Sequence, residues 1–251
     1  VTQIVGHAAR APHASRAAMP IAVIFDLDGV IIDSEELQYN AYSKVLARFG
    51  VRVSIDEYAE HWIAAGHGPE YAVRTYALPM PPDELRALKN PVYHEILRNE
   101  VRLMPGVMEA LQRLHRRCPL AVATNSNRQD TSFVVDHFAI RRFFTAIVTR
   151  EDYPRAKPNP DAFTTAAAEV GMPPASCVVI EDAPKGVLAA HRAGAAVLAV
   201  PNEFTRGNDF SRAAAVLGSL DELTVPLLET VAAQHAAGAS LPRARAAAVR
   251  T

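Results

Sequence analysis

The sequence predicts an α/β protein, a doubly wound parallel sheet with a separate block of helices inserted after its first strand. Three observations carry that prediction. Apolar runs of strand length recur along the chain, and several end in acidic or hydroxyl residues. Helical patterns alternate with them from about residue 105 onward, and alternation of strand and helix is the mark of a parallel sheet. Between Asp33 and about Glu100 the alternation stops, and helix follows helix with no convincing strand.

The first strand is residues 21–25, a continuous apolar run of the kind buried on both faces of a sheet. Asp33 or Ser34 can cap a helix that reaches Phe49, with Gly50 to end it. Further helices are expected over 55–65, 69–78 and 83–98, the last interrupted near Pro91 because proline removes a helical hydrogen bond. Strands follow at 120–124, 177–181 and 195–200, with a weaker one at 146–148. Helices are expected at 105–117, 130–138, 160–170 and 184–193, and Pro105, Pro160 and Pro184 suit their first turns. The expected organisation is a core of residues 19–33 and 101–233, a helical cap of 34–100, a disordered extension at 1–18 and a flexible alanine- and arginine-rich tail at 234–251. Residues 1–18 hold arginine and no acid, which mildly resembles an organelle transit peptide; a tag remnant or an extension ahead of a start at Met19 is the preferred reading.

Bulk properties exclude some partners. With 26 basic and 27 acidic residues in 251, the chain has no positive excess to follow a nucleic-acid backbone or an anionic membrane. No apolar run approaches the ~18 residues that cross a bilayer. Cys118 and Cys177 form no close pair of the metal or redox type and are expected as reduced thiols of a cytoplasmic protein. A monomer or weak homodimer is expected.

Ligands of open parallel sheets bind at the carboxyl ends of the strands, so the polar residues there matter most. The first strand ends in Asp26-Leu27-Asp28-Gly29-Val30, the second in Thr124-Asn125-Ser126 and a later one in Glu181-Asp182, while Arg155-Ala156-Lys157-Pro158 precedes a helix between them. An Asp-x-Asp pair alone arises about once by accident in a chain of this length and composition. An accidental pair rarely follows an apolar strand, precedes a glycine and recurs with Thr-Asn, Lys-Pro and Glu-Asp at the right later elements.

Together these four motifs resemble the haloacid dehalogenase superfamily, and within it the phosphatase and β-phosphoglucomutase-like branch, across residues 20–230. The resemblance implies a Rossmann-like core, a helical cap that closes over the site, and a Mg²⁺-dependent phosphatase of small phosphorylated metabolites. A carboxylate that attacks an anionic phosphate needs a cation between them, and Mg²⁺ bound by one or two carboxylates supplies it. Asp26 is the expected nucleophile, ionised at neutral pH and forming a phosphoaspartate. Asp28, two residues on and absent from the family's dehalogenases, is the expected proton shuttle.

Asp26 and Asp182 are the expected metal ligands. The resemblance adds the backbone carbonyl of Asp28, and Glu181 through water or by orienting a ligand. Thr124, Asn125 and Lys157 are expected to hold phosphate oxygens. In the cap loop His67, Glu70 and Arg74 are candidates to meet substrate. Mutase members carry a histidine on the first cap helix, where this chain has Gln38, and an arginine in the cap loop, where residues 66–70 have none. A phosphatase is therefore preferred over a phosphosugar mutase, and both over a non-catalytic metabolite-binding protein. His61, His115, His137 and His191 are read as packing or surface residues.

Overall fold

A computed structural model describes residues 21–238; the expectations for residues 1–18 and for the end of the tail fall outside them. Strand β1 (Ala22–Phe25) is buried along its whole length. A two-residue strand β2 (Ile32–Asp33) follows and leads into helix α1 (Glu35–Leu46). Ser34 stands at the N-cap position of α1 but makes no capping bond, because its hydroxyl donates to Asp28 Oδ1 at 2.7 Å. Gly50 ends the succeeding 3₁₀ turn in the left-handed region at φ 74°, as a helix terminator should.

The helix expected over 55–65 forms only one α turn, α2 (Ile55–Glu57), capped by Ser54. It then widens into a π-helix over Tyr58–Ala64, which the apolar periodicity did not disclose. A wider turn brings residues four apart closer to one direction, and Tyr58 and Trp62 both point inward with ring centroids 5.3 Å apart. Helix α3 (Gly68–Thr75) and helix α4 (Pro82–Glu100) complete the block. α4 is continuous, contrary to the interruption expected at Pro91. Pro91 and Ala87, whose carbonyl loses its partner, are both exposed, so water can replace the missing bond.

Strand β3 (Arg102–Leu103) pairs antiparallel with β2, matching Ile32 to Leu103 and Asp33 to Arg102. The two ends of the helical insertion are thereby held side by side. Helix α5 (Val107–Leu114), strand β4 (Leu120–Ala123), helix α6 (Arg128–His137) and strand β5 (Ala146–Val148) follow. Helix α7 (Asp161–Glu169), strand β6 (Cys177–Glu181), helix α8 (Pro184–Ala193) and strand β7 (Ala196–Ala199) continue the alternation. A short strand β8 (Ala215–Val216) and helix α9 (Val225–Ala236) were not anticipated, and α9 runs into the segment read as a flexible tail.

The sheet is parallel in the order β5-β4-β1-β6-β7-β8. The chain winds outward from β1 through β4 to β5, then returns to the other side of β1, so the switch point lies between β1 and β6. Alternate strand residues divide into two cores. Val23, Phe25, Val122, Val178, Ile180 and Leu198 pack with α5, α6 and α9, whereas Ala22, Ile24, Ala121, Val179 and Val197 pack with α7 and α8. A third cluster, among them Tyr42, Val45, Tyr58, Trp62 and Leu85, belongs to the helical block.

Of the histidines read as packing or surface residues, His61 stacks on Tyr71, His115 meets Phe143 edge-on, His137 lies against Phe133 and Phe138, and His191 is exposed. Both cysteines are free and buried. Among the described residues no helix is long and apolar enough to cross a membrane.

Candidate active site

Asp26 stands at the end of β1 and extends the ladder by one bond, its N–H donating to the Ile180 carbonyl at 2.9 Å. Across the switch point, β6 ends in Glu181, with Asp182 next in the chain. Asp26, Glu181 and Asp182 are all buried, and each offers a carboxylate oxygen within 4.8 Å of the others. Close approach here depends on two glycines. A Cβ on Gly29, at φ 75°, would collide with the Asp182 carboxylate, and one on Gly186, in the first turn of α8, would collide with the Glu181 carboxylate.

Lys157 brings a cation into this cluster. Its ammonium is 2.7 Å from Asp26 Oδ1, 2.7 Å from Glu181 Oε1 and 2.9 Å from the Ala123 carbonyl, and it lies over the Phe163 ring. Burial works to discharge the lysine, but the two carboxylates outweigh it and hold its pKa above the ordinary value. One ammonium cannot neutralise three carboxylates. Burial pushes Asp26 up to about 7, against the pull of Lys157 and with the help of Glu181 and Asp28. The expectation of an ordinary, fully ionised carboxylate at position 26 is therefore corrected for the protein alone. Asp182 is raised as well, first by burial and then by Glu181 and Asp26. Glu181 also accepts the N–H groups of Asp182 and Ala183 on Oε2, at 3.1 and 3.3 Å.

Among the described residues no ammonium or guanidinium forms an ion pair with the buried Asp182 carboxylate, a situation that suits a metal ion. The all-oxygen donor set suits a hard divalent cation such as Mg²⁺.

Asp28 lies apart from the acidic cluster, in a cradle of hydroxyls. Ser34 donates to Oδ1, Ser126 makes a short bond to Oδ2, and Thr124 Oγ1 is 3.5 Å from Oδ2. Thr124 is buried and its hydroxyl accepts the Ser126 N–H at 2.9 Å. Asn125 uses its amide oxygen structurally: it accepts the Lys157 backbone N–H at 3.1 Å and lies 2.8 Å from the Tyr153 hydroxyl. What Asn125 can offer an anion is therefore its N–H groups. The three cap candidates are less engaged. Glu70 is taken by Arg86 at 2.8 Å, and His67 and Arg74 are exposed.

Sequence reasoning passed over several neighbours of the site. Ser126 and Ser34 resemble a turn and a cap until their hydroxyls are seen on Asp28. Lys89 was legible in principle, since its spacing from Leu85 and Tyr93 puts a charge on the apolar stripe of α4. It is buried, lies over the Tyr93 ring and donates to Gln38 Oε1 at 2.8 Å. Glu35 opens α1, accepts from Tyr58 at 3.3 Å and has its pKa raised, chiefly by burial. Tyr153 and Asn202 carried no signal in the sequence, because their role depends on loops meeting in space.

Residues 23–200 match the family model described as haloacid dehalogenase-like hydrolase. Fructose-1-phosphate phosphatase YqaB of Escherichia coli is 30% identical over 177 residues, covering 68% of this chain and 92% of its own length. A probable pseudouridine-5'-phosphatase of Drosophila melanogaster is 32% identical over 206 residues, 78% of this chain and 88% of its own. Among solved structures, CbbY from Rhodobacter sphaeroides in complex with phosphate superposes with a TM-score of 0.71 at 26% identity, covering 83% of this chain and 98% of its own.

Proposed function

Since this chain belongs to the haloacid dehalogenase-like hydrolases, we propose that it is a Mg²⁺-dependent phosphatase that hydrolyses a phosphate monoester of a sugar, sugar alcohol or small hydroxy acid through a phosphoaspartate. The observation that carries the proposal is the convergence of Asp26, Glu181 and Asp182 at the switch point of the sheet, with the Lys157 ammonium on the first two. The names of the relatives, a fructose-1-phosphate phosphatase and a probable pseudouridine-5'-phosphatase, support the substrate class.

Asp26 attacks phosphorus, the ester oxygen leaves, and Asp28 gives that oxygen its proton. Asp28 then takes a proton from the water that opens the acyl phosphate. The serine hydroxyls on both of its oxygens hold its carboxyl in one orientation for the two transfers. Lys157, the Thr124 hydroxyl and the N–H groups of Asn125 hold the nonbridging oxygens. Asp26, Asp182 and the Asp28 carbonyl would hold the divalent ion, with Glu181 orienting them or binding through water. The ion supplies charge neutralisation between nucleophile and phosphate. Residues 34–100 serve as the cap and residues 19–33 with 101–233 as the core. The separate apolar cluster of the helical block and the β2–β3 ribbon at its base support that division.

A screen of phosphorylated metabolites with Mg²⁺, measuring released phosphate and sugar-phosphate isomers together, tests the reading. Phosphate release from small esters is expected. Efficient isomerisation without phosphate release would overturn it in favour of a mutase, and binding without turnover in favour of a non-catalytic protein.

A further inference from the structure

The loop that follows β7 reaches the acidic cluster from one side and the helical block from the other. Asn202 Nδ2 donates to Asp182 Oδ2 at 2.8 Å. The direction of the Asn202 amide is fixed from behind: its Oδ1 accepts the Phe204 N–H at 3.0 Å and lies 3.3 Å from the hydroxyl of buried Thr205, which in turn accepts the Asn202 N–H at 3.0 Å. Only its NH₂ group can therefore face Asp182. A Cβ on Gly29 would lie 2.8 Å from Asn202 Nδ2, so the loop that carries Asp28 is shaped around this contact. Two residues on, the Phe204 ring meets Tyr58 of the π-helix edge-on, with centroids 6.5 Å apart, and packs on the apolar cluster of the helical block.

We propose that Asn202 is a positioning residue that fixes the rotation of the Asp182 carboxylate for a divalent cation, and that Phe204 ties this setting to the helical block. The inference rests on the metal-dependent reading above. A carboxylate free to turn about its Cβ–Cγ bond must be ordered when it binds, whereas one held by a neutral donor is ordered beforehand. Partners of this outer kind are typically worth ~10–100-fold in metal affinity. Phe204 adds a condition. Lifting the helical block off the core removes the ring contact that steadies the loop, so the site binds best when the block sits as it does here.

The test is binding of Mn²⁺, followed by electron paramagnetic resonance of the free ion, to the full chain without substrate, together with melting in EDTA. N202S is the first variant, because a serine hydroxyl can still take the Phe204 N–H and keep the turn but cannot reach Asp182. It is expected to bind Mn²⁺ ~10-fold more weakly with an unchanged metal-free Tm. In turnover the half-saturating Mg²⁺ concentration rises while kcat at saturating Mg²⁺ holds. F204A leaves Asn202 in place and is expected to weaken Mn²⁺ by a smaller factor, ~3-fold; it decides the matter should N202S fail to fold. Wild-type affinity in N202S, or in F204A where N202S does not fold, overturns the proposal, and wild-type affinity in F204A beside a weakened N202S overturns the tie to the helical block alone. D182A separates this failure from that of the parent reading: if wild type binds no Mn²⁺, or D182A binds it unchanged, the metal site itself is wrong.

Discussion

At the scale of single residues, the site has, among the described residues, too few positive charges for its carboxylates. Asp26 is pushed to about 7 from 3.8, and Asp182 and Glu35 are shifted in the same direction, in each case first by burial. The folded, metal-free protein therefore keeps protons that the unfolded chain has already released. Raised acids of this kind favour the fold below their unfolded pKa, and that contribution is lost as pH rises through the folded values. Carboxylates that arginine holds low, such as Asp136 and Asp161, titrate below this window and do not oppose the trend. A bound cation replaces the proton, so Mg²⁺ stabilises more at high pH. The gap in Tm between Mg²⁺ and EDTA should widen by ~3 °C or more between about pH 5.5 and 8, a shift of ~1 kcal/mol in a protein of this size; a constant or narrowing gap would contradict the shifts. Lys157 is the other half of this balance. Lys157→Met leaves Asp26 and Glu181 buried without their ammonium and should cost ~3–5 kcal/mol in denaturant unfolding in EDTA. A loss below ~1 kcal/mol would mean that water already screens the cluster.

Secondary-structure elements were legible where their apolar pattern was simple and less so where function bends the rule. β1, β4, β6 and β7 were read from their buried runs, and α8 from Pro184 and its apolar spacing. The π-helix is a matter of hydrogen-bond register, which apolar spacing does not encode. Pro91 was read by its usual rule, and solvent access to the freed carbonyl made the exception. Ser34 was read as a cap, but its hydroxyl serves Asp28 instead. On α4, Lys89 occupies the buried stripe among Leu85, Tyr93 and Ile96, and burial lowers its pKa to about 8. A lysine lowered in this way weakens the fold at any pH below its folded pKa, and the penalty fades as pH climbs toward the unfolded value. Lys89→Met should therefore raise stability at neutral pH by ~1 kcal/mol, read by thermal unfolding, while kcat/KM falls because the cap has lost a polar contact to Gln38. A lower Tm in the variant would show that the pair with Gln38 outweighs the cost of burial.

At the scale of the whole molecule, the order of the strands makes the site. β1 and β6 are far apart in sequence and adjacent in the sheet, and the chain reverses its winding between them, which leaves Asp26, Glu181 and Asp182 around one crevice. This much could be read in advance, because each of these residues ends an apolar strand and open parallel sheets bind ligands there. The contacts of Asn202 and Tyr153 could not, because they arise only when loops fold back over the sheet. In the reading proposed here, this convergence makes the Asp26 side chain a nucleophile. Asp26→Asn preserves the shape of the residue and removes its charge, so the measurement is its turnover of the best substrate at saturating Mg²⁺. A fall in kcat of ~10⁴-fold or more is expected with substrate still bound, and turnover near the wild-type rate would rule out Asp26 as the nucleophile.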